Sequence, residues 1–324
     1  MQRSKRYPNL NIRSKNELAK HISGRSFSTQ KALNLINDVI ENFDHYWSDS
    51  KSSEPEEQKW VRSAAGTPLS VLLDRIDNKV LRPHDKMLPG FIFGGISGRN
   101  HIQAAHSLLG RRKKRMLLGL DITRFFEQIS KRRVYEFFRY KCLCTKRIAL
   151  LLAIFCCVPE GKKGSGQKNE MLARGFSTSP RLAVWTNLDT FLRLKWKTGH
   201  LLKGYDPKVA IFVDDIGISA SRLDVNKMEQ FESSVKNLLL NFDKNQKLPV
   251  NKEKTKKQAF SDGVEHLGLH LGRNKVTMGN KTRLKRKQVA RQLTKTSGQE
   301  KRLLKKQNRS YYQYQKQIER INNQ

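Results

Sequence analysis

Two aspartates, Asp214 and Asp215, stand side by side in the apolar run IFVDDIGIS at 211–219. Burying two like charges together costs free energy unless a positive partner meets them. A third carboxylate, Asp121, lies near the end of another apolar run, MLLGLDI at 116–122. Two short strands, each carrying carboxylate at one end, bring Asp121 and Asp214 together if they are neighbours in one sheet. Three carboxylates stay ionised together only when a metal cation neutralises them. Oxygen ligands at strand ends suit Mg²⁺, which keeps several waters and takes substrate phosphates as its remaining ligands. Two such ions would activate a 3′-hydroxyl and stabilise the leaving pyrophosphate of an in-line displacement.

The bulk charge says what such a site would act on. The 324 residues carry 64 Lys and Arg against 29 Asp and Glu, a net charge of +35. A surplus of that size repels itself and calls for an anionic partner, nucleic acid first and an anionic membrane second. Together with the carboxylates it points to nucleotidyl transfer on a nucleic acid. Hydrophobic residues make up 37% of the chain and its mean hydropathy is −0.67. The longest apolar run, 148–158, falls short of the roughly 18–20 residues of a membrane span. The basic start MQRSKRYPNL has no apolar stretch behind it. The expectation is therefore a cytoplasmic protein with no secretory signal and no membrane partner. The four cysteines, at 142, 144, 156 and 157, are spaced poorly for zinc and read as buried, reduced thiols.

The elements that must position these residues follow from periodicity. A helical stretch covers 13–46, opened by the capping-box pattern Ser14-Lys-Asn-Glu17, and a second covers 68–81. Residues 87–98 are Gly-rich and extended, and 101–109 form a short helix. After the basic run RRKKR at 111–115 comes the strand ending at Asp121. Helix is expected over 131–157, 181–197 and 225–243, a flexible loop over 159–170, and a strand pair over 208–219. A strand is expected at VEHLGLHL (264–271), and basic helices over 281–294 and 299–323, broken at Thr296-Ser-Gly298. Strands alternating with helices in the middle, with helices at both ends, make an α+β chain.

Five segments, in order, resemble those of reverse transcriptases. FVDD (212–215) is similar to their x-x-D-D box, and DITRFFEQIS (121–130) to the preceding aspartate motif. RGFSTSPRLA (174–183) resembles the box written QG-x-x-T-S-P-x-L. VNKEKT (250–255) resembles N-x-x-K-T, and VEHLGLHL the hydrophobic primer-grip hairpin. The resemblance runs from about residue 60 to 285 and is closest to bacterial enzymes of the retron and related antiviral-defence groups. Arg62 ahead of Pro68 and Leu72, and SGRNHIQAA (97–105), carry that closer likeness. The sequence departs from the pattern at Arg174, where Gln is usual, and at Phe212, where Tyr is usual. It departs also at His266-Leu-Gly268, where V-T-G is usual, and the retron N-A-x-x-H signature lacks its Asn although His106 is present.

The resemblance implies a right-hand polymerase of fingers, a palm with an antiparallel sheet, and a helical thumb. The implied divisions are an N-terminal helical segment (1–58), fingers and the start of the palm (59–120), the palm (121–272, with a finger insertion at 131–175) and a basic thumb (273–324). It implies RNA-templated DNA synthesis from dNTPs with two Mg²⁺ ions, Mn²⁺ being the other ion accepted. Asp121, Asp214, Asp215 and the carbonyl of Ile122 would ligate metal. Phe126 would be the steric gate against a ribose 2′-hydroxyl. Arg62 and Arg99 would clamp the triphosphate, Lys254 would protonate or steady the pyrophosphate, and Arg174 and Gly175 would flank the template–nucleotide pair. Ser177, Thr178 and Ser179 would support that pair, with Ser and Thr capping the helix that starts near Pro180. The implied partners are a structured noncoding RNA template, its DNA product and a separate effector chain. Tyr311, Tyr312 and Tyr314 would either stack on unpaired bases or pack against protein. The rival readings are an untemplated or intron-maturase-like polymerase and a non-enzymatic RNA-binding protein.

Overall fold

The structure, a computed structural model, describes residues 6–110, 114–294 and 296–323. The basic run expected at 111–115 and the start of the chain fall partly outside them.

Ser14 opens α1 (Lys15–Ile22) as its pattern predicts: its Oγ accepts from the Glu17 amide at 3.2 Å, and Glu17 accepts from the Arg13 amide. The single helix expected over 13–46 is two. The stretch SGRSFS forms a tight bridge between Gly24 and Phe27, and Ser28 caps α2 (Thr29–Asn42). A two-residue pair follows, β1 (Ser48–Asp49) with β2 (Arg62–Ser63). Pro68 occupies the first turn of α3 (Pro68–Arg75), where its missing N–H costs nothing, and the helix widens to a π turn over Ile76–Leu81. Next come α4 (His101–Ser107) and β3 (Arg115–Asp121). The helix expected over 131–157 is interrupted at 142–145 and becomes α5 (Lys131–Glu136), a π turn (Phe137–Lys141) and α6 (Lys146–Cys156). The loop expected at 159–170 is the tip of a hairpin, β4 (Cys157–Pro159) with β5 (Glu170–Leu172). Asn187 divides α7 (Ser179–Thr186) from α8 (Leu188–Leu201). Then follow β6 (Lys208–Phe212), β7 (Asp215–Ser221) and α9 (Val225–Asn241). The basic KEKTKKQ run contains an unforeseen strand, β8 (Lys256–Ala259). The strand expected at 264–271 is a hairpin, β9 (Val264–His266) and β10 (Leu269–Leu271), extended by β11 (Val276–Met278). The chain ends in α10 (Asn280–Leu293) and α11 (Gly298–Asn322).

The organising element is an antiparallel sheet of order β6-β7-β3-β8. Strands β6, β7 and β3 are largely apolar on both faces because each face meets a core. Leu118 and Leu120 of β3, Ile216, Ile218 and Ala220 of β7, and Val209 and Ile211 of β6 join one large cluster. That cluster takes in Ile12, Leu18 and Ile36 as well, so the first 58 residues share their core with the rest of the chain. On the other face Leu117 and Ala210 join a smaller cluster with α4, the β9–β11 sheet, and Ile318 and Ile321 at the end of α11. The boundary expected between 120 and 121 falls inside β3.

All four cysteines are buried and unpaired. Burial pushes the Cys144 thiol up to about 11 and Cys156 up to about 12, which suits inert packing groups. Among the described residues no helix is long and apolar enough to cross a membrane.

Candidate active site

Strand register gathers the carboxylates. Asp121 pairs directly with Asp215, two residues beyond the Gly119–Gly217 pair. Side chains alternate across a strand, so Asp121 and Asp215 lie on one face, the face of the smaller core. Asp214 sits in the two-residue turn between β6 and β7, and its carbonyl accepts from the Ile122 amide at 3.1 Å. The Asp121 carbonyl accepts from the Asn251 amide at 2.8 Å. The other turn residue, Val213, has φ +59°, a conformation costly for a β-branched side chain. Such strain, of order 1–3 kcal/mol, persists only where the surroundings enforce it. Part of the enforcement is Gly94, where any Cβ would run into the Val213 backbone and side chain.

The charges at this edge are poorly balanced. Asp215 is raised from its ordinary 3.8 to about 7, chiefly by burial, then by Asp214 and Asp121. Asp214 is also raised by burial, with Asp121 adding to the effect and Arg174 and Lys254 opposing it. The ammonium of Lys254 stands 3.9 Å from Asp121 Oδ2. It is presented by a turn in which Asn251 Oδ1 accepts from the Glu253 and Lys254 amides.

Among the described residues no three His, Cys, Asp or Glu side chains are arranged to hold a metal ion as they stand. The expected three-carboxylate cage is therefore an open edge. That edge still fits a hard cation: its side-chain donors are carboxylate oxygens, and burial, with the neighbouring Asp214 and Asp121 charges adding to it, raises Asp215 to about 7. Mg²⁺ needs only one or two protein carboxylates when water and phosphate oxygens complete its octahedron.

Phe126 is 9% exposed, packed edge-on against Phe125 with ring centroids 5.9 Å apart. Arg174 lies over it, its guanidinium carbon 5.0 Å from the ring centroid. Gly175 has φ +104°, and a Cβ there would strike the Arg62 carbonyl. Only glycine serves that close approach.

The two arginines expected at the triphosphate contact protein groups. The Arg62 side chain is wholly buried; it ion-pairs with Asp49, donates to the carbonyls of Pro159 and Gly161, and stacks 5.2 Å from the Trp47 ring centroid. Arg99 donates to the carbonyls of Leu88, Pro89 and Ile92. In this structure both guanidinia are engaged by protein acceptors. The expected capping also fails. Thr178 is the N-cap of α7 but makes no side-chain cap bond; its hydroxyl meets Cys156 Sγ, and Ser179 Oγ donates to the Ala173 carbonyl. Tyr314 packs against protein: it stacks on His101 and its hydroxyl lies 2.8 Å from His101 Nε2. Tyr312 remains exposed.

Two contacts near the site escaped the sequence reading. Glu127 holds Arg174 with both carboxylate oxygens, at 3.0 and 2.9 Å. Its only sequence signal was an acid directly after two phenylalanines. The His266 imidazole fills the space left by the Gly119–Gly217 pair, and burial lowers it to about 4. It stays neutral beneath the carboxylates, and nothing in the order of residues foretold that contact.

An antiparallel sheet that carries register-paired carboxylates at one edge, in a chain of such positive charge, defines a nucleotidyltransferase. The family model described as reverse transcriptase (RNA-dependent DNA polymerase) matches residues 68–271, well over half of the chain, which belongs to that family. It is accordingly an RNA-directed DNA polymerase that takes an RNA template and dNTPs. The match includes Asp121, Phe126, Arg174, Asp214, Asp215 and Lys254, and it begins after Arg62 and stops before α10. No curated protein matches the chain.

Proposed function

We propose that the chain is a right-hand polymerase of the retron or antiviral-defence type, copying a dedicated structured noncoding RNA into DNA in the bacterial cytoplasm. The observation that carries the catalytic part is the direct pairing of Asp121 with Asp215 beside Asp214. In this reading the β6-β7-β3-β8 sheet is the palm, the segments before β3 and the 131–175 insertion are fingers, and α10 with α11 form the thumb.

Asp121, Asp214 and Asp215, with the Ile122 carbonyl, bind two divalent cations, Mg²⁺ or Mn²⁺. When bound, these ions supply a more acidic 3′-hydroxyl and charge neutralisation at the departing pyrophosphate. Phe126 lies flat beneath the incoming sugar and leaves no room for a 2′-hydroxyl. Gly175 lets the backbone approach the template–nucleotide pair. Lys254, already within reach of Asp121, hands a proton to the pyrophosphate or steadies it.

RNA binding falls to the basic helices. Arg286, Arg302, Lys305, Lys306, Arg309 and Tyr312 line a cleft of about 600 Å³ between α10 and α11. Phosphates suit its cations, and an exposed ring suits an unpaired base.

The test is primer extension by the purified protein with its copurifying RNA, beside the Asp214→Ala, Asp215→Ala double variant. Template-dependent DNA from the wild type alone is the expected result, and sequencing both nucleic acids identifies the template. No extension on any template with Mg²⁺ or Mn²⁺ refutes the catalytic reading. Homopolymer made without template would favour the untemplated alternative.

A further inference from the structure

We infer that Glu127 is a positioning residue for nucleotide selection: by clamping Arg174 over the Phe126 ring, it sets how strictly the enzyme rejects ribonucleotides. This rests on the reading of Phe126 as the sugar gate.

The geometry is a two-point lock. Arg174 Nε donates to Glu127 Oε1 at 3.0 Å and Nη2 to Oε2 at 2.9 Å, the fork-to-fork pairing that fixes a guanidinium in plane. The Glu127 side chain is 2% exposed and that of Arg174 21%. A carboxylate so deeply buried would be left uncompensated if this ion pair were removed. Glu127 directly follows Phe126, so the lock ties the ring's own segment to the segment entering Gly175. That second segment is itself anchored, because the Arg174 carbonyl accepts from the Arg62 amide at 2.6 Å and Gly175 rests on the Arg62 carbonyl. With Phe125 against its edge and Arg174 over it, the Phe126 ring has little freedom to tilt.

Glu127 also decides where the cation goes. Asp214 is near enough to interact with the charge of Arg174. Without Glu127, Arg174 would be drawn toward Asp214, uncovering the ring. A neutral glutamine at 174 could neither form this lock nor need it. The acid at 127 and the base at 174 are thus one device.

The experiment measures kcat/KM for a dNTP and the matching rNTP on one RNA template with a DNA primer. It compares wild type, Phe126→Ala, Glu127→Gln, Arg174→Lys and the Glu127→Gln, Arg174→Lys double variant. Lysine keeps the charge and loses the fork. Glu127→Gln and Arg174→Lys should each lower the dNTP preference about 10-fold, the scale of one packing contact in a selective pocket. The double variant should fall no further, since both changes break one lock. A merely structural role would slow both nucleotides equally and leave the ratio unchanged. If Phe126→Ala loses selectivity while Glu127→Gln and Arg174→Lys keep the wild-type ratio, the inference is overturned and the gate stands. If Phe126→Ala keeps the ratio, the gate reading itself falls and takes the inference with it. Circular dichroism checks the fold of each variant, and Arg174→Lys decides the matter if Glu127→Gln does not fold.

Discussion

Replacing Arg62 by methionine separates a scaffold from a phosphate clamp. The substitution keeps a long side chain and deletes the guanidinium. Its loss leaves Asp49, with a side chain 19% exposed, without its ion pair, and two carbonyls, of Pro159 and Gly161, without this donor. Breaking a buried pair by removing one partner costs about 3–5 kcal/mol. Asp49 keeps some water and still accepts from the Lys163 amide at 2.9 Å, which places the cost near the lower end, about 3 kcal/mol. Per-residue unfolding entropies scaled to this length convert that to a fall of roughly 5 °C in Tm. The assay is a thermal melt run beside steady-state dNTP kinetics at a temperature where both proteins are folded. The scaffold role predicts the fall in Tm with KM for dNTP changed by no more than about twofold, since the guanidinium makes no contact that a triphosphate could replace without unpairing Asp49. A wild-type Tm with KM raised tenfold or more would refute the reasoning and return Arg62 to the substrate.

Two further outcomes follow from the carboxylate edge. Asp215 keeps its proton up to about 7 in the fold, against 3.8 ordinarily, so the fold binds more protons than the unfolded chain across that interval. In divalent-free buffer this group's contribution to stability therefore declines as pH rises from about 4 through about 7. Added Mg²⁺ should raise Tm more at pH 8 than at pH 5.5, where it must displace a proton; an equal rise in the Asp214→Ala, Asp215→Ala variant would sink the assignment. Gly94→Ala should cut turnover at least tenfold while costing only about 1–3 kcal/mol of stability, because its Cβ pushes on the strained turn that holds Asp214. Full activity in a folded Gly94→Ala protein would show that the turn tolerates the displacement.

What was legible beforehand was legible for local reasons. Capping at Ser14 and the start of α3 at Pro68 are decided within one helical turn, and both stand as read. The carboxylates were conspicuous because charge inside an apolar strand is costly wherever the strand ends up. Breaks within long helical stretches were missed at 23–28 and 142–145. At 23–28 the local signals, Gly24 and the Ser28 cap, were present, whereas the turn at 142–145 carries no glycine or proline to mark it. Strand β8 was hidden by its lysines: it is a sheet edge, and Lys257 finds Glu232 at 3.1 Å only after folding. A hydrophobic pattern cannot signal a strand whose exposed face is charged.

The sequence by itself determined the class of chemistry, because three acids in apolar strands and a +35 chain admit few partners. It also determined the alternation of elements, since periodicity is a property of neighbours along the chain. Tertiary structure alone decided which of the named basic groups are engaged by protein acceptors. Arg62, Arg99, Arg174 and Lys254 look alike in a sequence this rich in arginine and lysine. Three of them are bound to protein acceptors far away in the chain or across a loop, and only Lys254 extends toward the carboxylates. The reason is that a guanidinium's work is set by which acceptors surround it, and those acceptors come together only through long-range packing.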